Sequence, residues 1–248
     1  MNRHKNEPTS IAVCVVTNGN EIESRFFFES LIPTLTTNCA LSIYDLGSEK
    51  SLRNYCAQCA ILNNGRYRYL PEMGNNLASI YNYIISDCDE DYIAIVPINA
   101  IMEANWVNEL LCQGETLTNC NAGVIGIRSS GVELELSNTS FYNTFSQSDE
   151  MAPVWMGKLN IIQLPILFKR SIVQEIGGFD ESYKDPAFVV DDFSFKAASY
   201  GYINFYATNT ICIKPFIENR VLLPHKSKAG LAEFKTKINT FVKSINTV

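Results

Sequence analysis

The chain has 248 residues, is 46% hydrophobic and 19% charged, and carries a net charge of −6. That profile fits one well-buried domain without a Pro/Ser/Gly-rich linker, and an acidic body argues against wide nucleic-acid contact, which needs a basic face to displace counterions. No apolar run approaches the roughly 18 residues needed to span a bilayer, and eight cysteines scattered at positions 14, 39, 56, 59, 88, 112, 120 and 212 read as reduced core thiols of a cytosolic protein.

The polar start MNRHKNEPTS is not the h-region of a signal peptide. Ile11 to Val16 is a buried-strand run, followed by the loop Thr17-Asn18-Gly19-Asn20 and a helix from Ser24 bearing Phe27, Phe28, Leu31 and Leu35. Leu41 to Tyr44 gives a second strand ending at Asp45; Gly47 turns the chain and Ser48 is the expected N-cap of a helix running towards Cys59. Tyr67 to Leu70 makes a third strand and Asn76 to Ser86 a helix. Tyr92 to Val96, bounded by Asp89, Glu90, Asp91 and by Pro97, is too short for an ordinary helix and reads as a buried central strand. A helix then starts near Asn105 and turns Trp106, Val107, Leu110 and Leu111 inward, and Gly123 to Ile127 is the next strand.

This alternation predicts an α/β fold, a mainly parallel central sheet flanked by helices. Ligands of such sheets gather at the strand ends, where Pro97 to Ala100 lies. The glycine fingerprint of dinucleotide folds and the GxxxxGK[ST] loop are absent after the first strand, which removes NAD and ATP chemistry. Cys56-Ala57-Gln58-Cys59 is a lone CxxC with His4 and His225 remote from it, a structural pair sooner than a zinc site. From Arg220 onward Lys226, Lys228, Lys235, Lys237 and Lys243 face the single acid Glu233. Within this basic tail, Leu231, Phe234, Ile238, Phe241 and Ile245 fall at helical spacing; such an amphipathic helix docks on its own domain or, alternatively, lies on a membrane surface.

Several segments recur in a known order: Thr17-Asn18-Gly19-Asn20, Asp45-Leu46-Gly47-Ser48, Gly74 with Asn76 and Asn82, Pro97-Ile98-Asn99 ahead of Asn105-Trp106, Ile166 to Arg170, Ile176 to Glu181, Asp191 to Lys196, Tyr200-Gly201-Tyr202 and Pro224 to Ser227. In this order they resemble the GT-A glycosyltransferases of the family 2 type, the nucleotide-diphospho-sugar transferases, over roughly residues 10 to 228. The resemblance implies a single GT-A-like domain over 1–248, with a nucleotide-sugar-binding half (10–128), an acceptor and catalytic half (129–228) and a C-terminal amphipathic helix (229–248). It implies inverting transfer of a sugar from a UDP-sugar or another nucleotide-diphosphate donor to a glycan or glycolipid acceptor, in the cytoplasm or at the membrane inner face.

The resemblance also places Thr17, Asn18, Asp45, Ser48 and Asn82 on the nucleotide, with the Asp45 carboxylate accepting from the uracil imide N–H. Pro97-Ile98-Asn99 stands where the family carries Asp-x-Asp and holds manganese or magnesium. With both carboxylates gone, metal binding is expected to be weak or absent, Asn99 and His225 being the remaining ligating side chains, and Lys169, Arg170, His225, Lys226 and Lys228 are expected to meet the diphosphate. The catalytic base falls to an acidic pair before the last helix. Counting back twelve residues from Gly201 puts its first member on Val189 and leaves Asp192 as the acid in register, whereas a short slip makes Asp191 and Asp192 the pair.

Each residue also has a plain structural reading. Asp45 is equally a turn cap, Asp191 and Asp192 suit the positive end of a helix, Gly177-Gly178 stops a helix, and His225 is a surface or packed histidine. Residues 131–160 are polar and aperiodic, an acceptor-binding insertion or a plain surface loop. The rival to an enzyme is a noncatalytic module of the same fold that binds a nucleotide-sugar, a glycan or a protein partner. A sugar-nucleotide pyrophosphorylase would need a Gly-rich loop with Arg after the first strand, which Thr17 to Arg25 does not supply.

Overall fold

The computed structural model describes residues 9–74, 76–116, 121–130, 161–183, 185–213 and 228–246. The expected acceptor insertion, His225 and Lys226 lie outside the described residues, and of Lys228 only the backbone is described. Strands β1 (Ile11–Thr17), β2 (Cys39–Asp45), β3 (Tyr67–Tyr69), β4 (Tyr92–Val96), β5 (Ile101–Met102), β6 (Ala122–Ser130), β7 (Ile166–Lys169) and β8 (Ile203–Ile213) form one sheet in the order β3-β2-β1-β4-β7-β6-β8-β5. Helices α1 (Glu21–Leu31), α2 (Lys50–Leu62), α3 (Leu77–Asp87), α4 (Trp106–Thr116), α5 (Ile172–Ile176), α6 (Val189–Ser199) and α7 (Lys228–Asn246) cover it.

β1 and β4 are buried along their whole length, as strands covered on both faces must be. Successive side chains alternate between faces. Ala12, Cys14 and Val16 pack with α3, α5, α6 and α7, while Ile11, Val13 and Val15 pack with α1, α2 and α4. Trp106 fills the second core, and its indole N–H donates to the Thr34 hydroxyl at 3.0 Å.

The expected mainly parallel sheet is present, with β1, β2, β3 and β4 parallel and β6 parallel to β8. Between β4 and β6, however, β7 runs antiparallel to both, pairing Ile95 with Ile166 and Tyr92 with Lys169. α1 starts earlier than expected because the Asn20 carboxamide accepts from the Glu23 N–H and caps it. α2 starts at Lys50 after Glu49, which gives no side-chain cap; the Ser48 N–H is engaged with Asp45 instead.

Cys56 and Cys59 sit on the buried face of α2, and burial pushes the Cys56 thiol up to about 12. No group of three or more His, Cys, Asp or Glu side chains able to hold a metal occurs among the described residues. Nor is any described helix long and apolar enough to cross a membrane. α7 docks on its own domain, with Phe234 against Phe188 and Phe195 and Ile238 fully buried.

Candidate functional site

Thr17, Asp45 and Tyr69 are register partners across β1, β2 and β3, and Val15 pairs with Val96. The loops after these four strands therefore leave one edge of the sheet, the place where open α/β sheets take their ligands. A recess there is lined by Val16, Leu77, Tyr81, Pro97, Ile98 and Leu164. The β1 and β2 loops touch each other: a Cβ on Gly19, whose φ is +104°, would lie 3.3 Å from the Ser48 Cα. Only glycine meets both demands without strain.

The expected nucleotide residues divide at this edge. Thr17 is fully buried and its hydroxyl hydrogen-bonds Ser24 at 3.1 Å, fastening α1 to β1. Asn18 is half-buried, directly after β1. Asp45 is fully buried, and its carboxylate is occupied: Oδ1 accepts from the Gly47 and Ser48 N–H groups at 3.0 and 2.8 Å, and Oδ2 from the Tyr67 hydroxyl at 2.7 Å. Burial first, then the bond to Asp45, pushes the Tyr67 phenol up, so it stays a donor. Ser48 is buried behind this turn.

Asn82 is engaged with the loop before α6. It lies in the second turn of α3, where its Oδ1 accepts from the Phe179 N–H at 2.7 Å and its Nδ2 donates to the Phe179 carbonyl at 2.9 Å and to Glu181 at 2.8 Å. Its amide is spent on the loop that precedes α6, and a Cβ on Gly178 would collide with it at 2.3 Å.

Pro97 and Asn99 do lie at the strand-end edge, directly after β4. The Asn99 Oδ1 is buried with no hydrogen-bond partner among the described residues. One neutral carbonyl beside a proline does not fit manganese or magnesium, which take about six oxygens with carboxylates among them. Lys169 and Arg170 are corrected outright. Because β7 is antiparallel to β4, Lys169 pairs with Tyr92 at the opposite edge of the sheet, four strand steps or roughly 13 Å from the Asn99 end. There the Arg170 side chain donates to the Glu90 carbonyl at 3.1 Å.

Asp191 and Asp192 occupy the first turn of α6, both buried. Asp192 Oδ1 accepts from the Tyr183 hydroxyl at 3.2 Å and pairs with Lys237 Nζ of α7 at 2.7 Å, while its Oδ2 is buried with no hydrogen-bond partner among the described residues. Lys237 also pairs with Asp180 Oδ2 at 2.6 Å. Burial opposes its charge, but Asp180 and Asp192 hold its pKa above the usual lysine value. Burial likewise opposes the charge of Asp180, yet Lys237 and Ser182 bring its carboxyl well below the ordinary range.

Sequence reasoning missed Lys237, Tyr67 and the pair Arg53 and Tyr69. Arg53 stands one turn into α2, its guanidinium 4.6 Å from the ring centre of Tyr69 at the end of β3. The available signals were positional: Arg53 follows the Asp45–Ser48 turn within a helical turn, and Tyr69 is the register partner of Asp45.

Against solved structures, the chain is similar to the mannosyltransferase PcManGT from Pyrobaculum calidifontis in complex with GDP-Man and Mn2+, at 14% identity and a TM-score of 0.61, over 86% of this chain and 59% of that one. It is similar to S. aureus TarS 1-349 in complex with UDP-GlcNAc, at 11% identity and a TM-score of 0.63, over 88% and 62%. These likenesses define the class: the chain has a GT-A-like α/β fold. It spans about three fifths of the length of those two chains. No protein-family model matches the chain, and no curated protein does.

Proposed function

We propose that the chain is a glycosyltransferase that moves a sugar from a nucleoside diphosphate donor to a glycan or glycolipid acceptor with inversion. The observation that carries the reading is the convergence of the β1, β2, β3 and β4 ends on one recessed edge of a GT-A-like sheet. Two proteins similar in fold were solved with GDP-Man and with UDP-GlcNAc, which supports a sugar nucleotide at that edge. The expectation of uridine is tied to Asp45, whose carboxylate accepts from Gly47, Ser48 and Tyr67. The division into a nucleotide half (10–128) and an acceptor half (129–228) belongs to the same proposal.

The chemistry asks for a base that takes the acceptor hydroxyl proton as that oxygen attacks the anomeric carbon. Such a base must be ionised, oriented and left with a vacant lone pair. Asp192 is the candidate by geometry: Lys237 and Tyr183 hold Oδ1, and the buried Oδ2 has no hydrogen-bond partner among the described residues. We assign the base role to Asp192 and the orienting role to Lys237. The PcManGT complex contains Mn2+; here Pro97-Ile98-Asn99 follows β4, and no step is assigned to a metal. The reading favoured by the enclosed Asp45 and the missing carboxylates is a noncatalytic module that binds a sugar nucleotide and does not turn it over.

The test joins calorimetric titration of nucleoside diphosphates and their sugars with an assay of nucleotide release in the presence of glycan acceptors. Asp192→Asn should reduce turnover at least a hundredfold with nucleotide affinity within about twofold; Asp191→Asn should retain most of it. Nucleotide binding without turnover on any acceptor supports the noncatalytic module. No binding of any nucleotide overturns both.

A further inference from the structure

Cys14 and Cys88 meet in the apolar core between the sheet and α3, 74 residues apart in sequence, with their sulfurs 3.7 Å from each other. Both are free thiols and both are fully buried. Their mounts differ. Cys14 lies in the middle of β1, held by parallel neighbours on either side. Cys88 closes α3 in extended backbone, its N–H on the Ile84 carbonyl at 3.1 Å and its next neighbour the exposed Asp89. The surroundings of Cys88 favour a thiolate: the bond to Cys14 first, then the Tyr44 hydroxyl at 3.5 Å and the Arg66 guanidinium, pull its thiol below the usual value against burial and Glu90. Burial pushes Cys14 well up and raises Cys56 and Cys59 too.

We propose that Cys14 and Cys88 are an oxidisable dithiol, which hydrogen peroxide converts to a disulfide that staples the end of α3 to β1. The thiolate is the form that peroxide oxidises, so Cys88 reacts first. Its sulfur attacks the peroxide O–O bond, becomes a sulfenic acid and releases hydroxide, which takes a proton to leave as water. The Cys14 sulfur then attacks the Cys88 sulfur; the S–O bond breaks, and the hydroxyl leaves with the Cys14 proton as a second water. One peroxide is reduced to two waters and two thiols are oxidised to one disulfide. Peroxide is little larger than water and reaches Cys88 when the helix end frays. A covalent bond brings the sulfurs roughly 1.7 Å closer than their present contact, and that movement falls on the helix end, since β1 is clamped on both sides. Val16 of β1 and Leu77 and Tyr81 of α3 line the strand-end recess, so the staple joins two of its walls.

The test treats the folded full chain with millimolar hydrogen peroxide, alkylates the remaining thiols after unfolding, and maps the peptides without reduction. The Cys14 and Cys88 peptides should be recovered linked, lighter by two hydrogens than their sum, in most molecules. The melting temperature followed by circular dichroism should rise by roughly 5–10 °C, because the bridge closes a long loop in the unfolded chain. Dithiothreitol should reverse both changes. Cys88→Ala and Cys14→Ala should show neither; if Cys14→Ala fails to fold, Cys88→Ala at the helix end and the peptide map of the parent decide. Recovery of Cys14 and Cys88 unlinked, a Cys56–Cys59 link in their place, or sulfinic acid at Cys88 without a link overturns the pair. A link that leaves the melting temperature unmoved, or a rise that persists in Cys88→Ala, overturns the staple.

Discussion

Asp45 closes its own turn with two backbone N–H groups and reaches across to Tyr67 on the next strand. Asp45→Ala strands the buried Ser48 N–H and removes the acceptor of Gly47 and Tyr67, and should cost about 2–3 kcal/mol in urea unfolding, whereas Tyr67→Phe removes one bond to a charged acceptor and should cost about 1–2 kcal/mol. The double variant should fall short of the sum by about 1 kcal/mol, because the two changes share one bond; full additivity would show that the bond contributes nothing. Nucleotide affinity should be untouched by Tyr67→Phe, whose hydroxyl faces Asp45. The turn at Asp45–Ser48 was legible from its local chemistry. Its closure by Tyr67, 22 residues away, was not, and neither was the engagement of Asn82 with Phe179, 97 residues on. Local spacing reports where a polar side chain sits on its own element and is silent about a partner brought by tertiary contact.

At the scale of elements, α7 is fastened by an ionic contact beneath an apolar one. Lys237 bridges Asp180 and Asp192 while Phe234 and Ile238 enter the core. The depressed Asp180 pKa gives stability that is present above the ordinary carboxyl value near 3.9 and lost as pH falls through the lower folded value. The raised Lys237 pKa gives stability that is present below about 10.4 and lost as pH rises through the higher folded value. Docking of α7 should therefore be flat with pH between about 5 and 9 and loosen outside that window, read as amide exchange in residues 230–240. Lys237→Met should lower global stability by about 2 kcal/mol, below the 3–5 kcal/mol of a wholly buried pair because the lysine side chain is 39% exposed. Exchange in that stretch unchanged by Lys237→Met would show that the apolar contact alone holds the helix. The amphipathic spacing announced α7 and its docking face, since the 3.6-residue period survives in the sequence. The direction of β7 left no such mark: Ile166, Leu167 and Phe168 are buried and Lys169 is exposed, a pattern that does not report direction, and motif order alone had put Lys169 and Arg170 beside the diphosphate.

For the whole molecule, the βα alternation of the first hundred residues was enough to give the parallel half of the sheet, because short apolar runs, caps and turn glycines are local signals that agree with one another. The chemistry at the sheet edge depends instead on which loops the fold brings together, and there the Pro97-Ile98-Asn99 triplet has a consequence for the entire site. Around a divalent cation, a bound diphosphate supplies some oxygens and protein carboxylates complete the shell. After β4 this chain offers Pro97 and the Asn99 carbonyl, a single neutral donor whose lone pairs meet manganese without charge. Any tightening of nucleotide binding by manganese should then be no greater than the diphosphate alone confers, less than about threefold, and EDTA should leave affinity within the same margin. Asn99→Ala should not change that response, whereas Asn99→Asp places a carboxylate at that strand end and should make binding manganese-responsive by about tenfold. A parent chain whose nucleotide affinity collapses in EDTA would mean that carboxylates outside the strand-end set described here reach the diphosphate, and the metal-poor reading of this edge would be wrong.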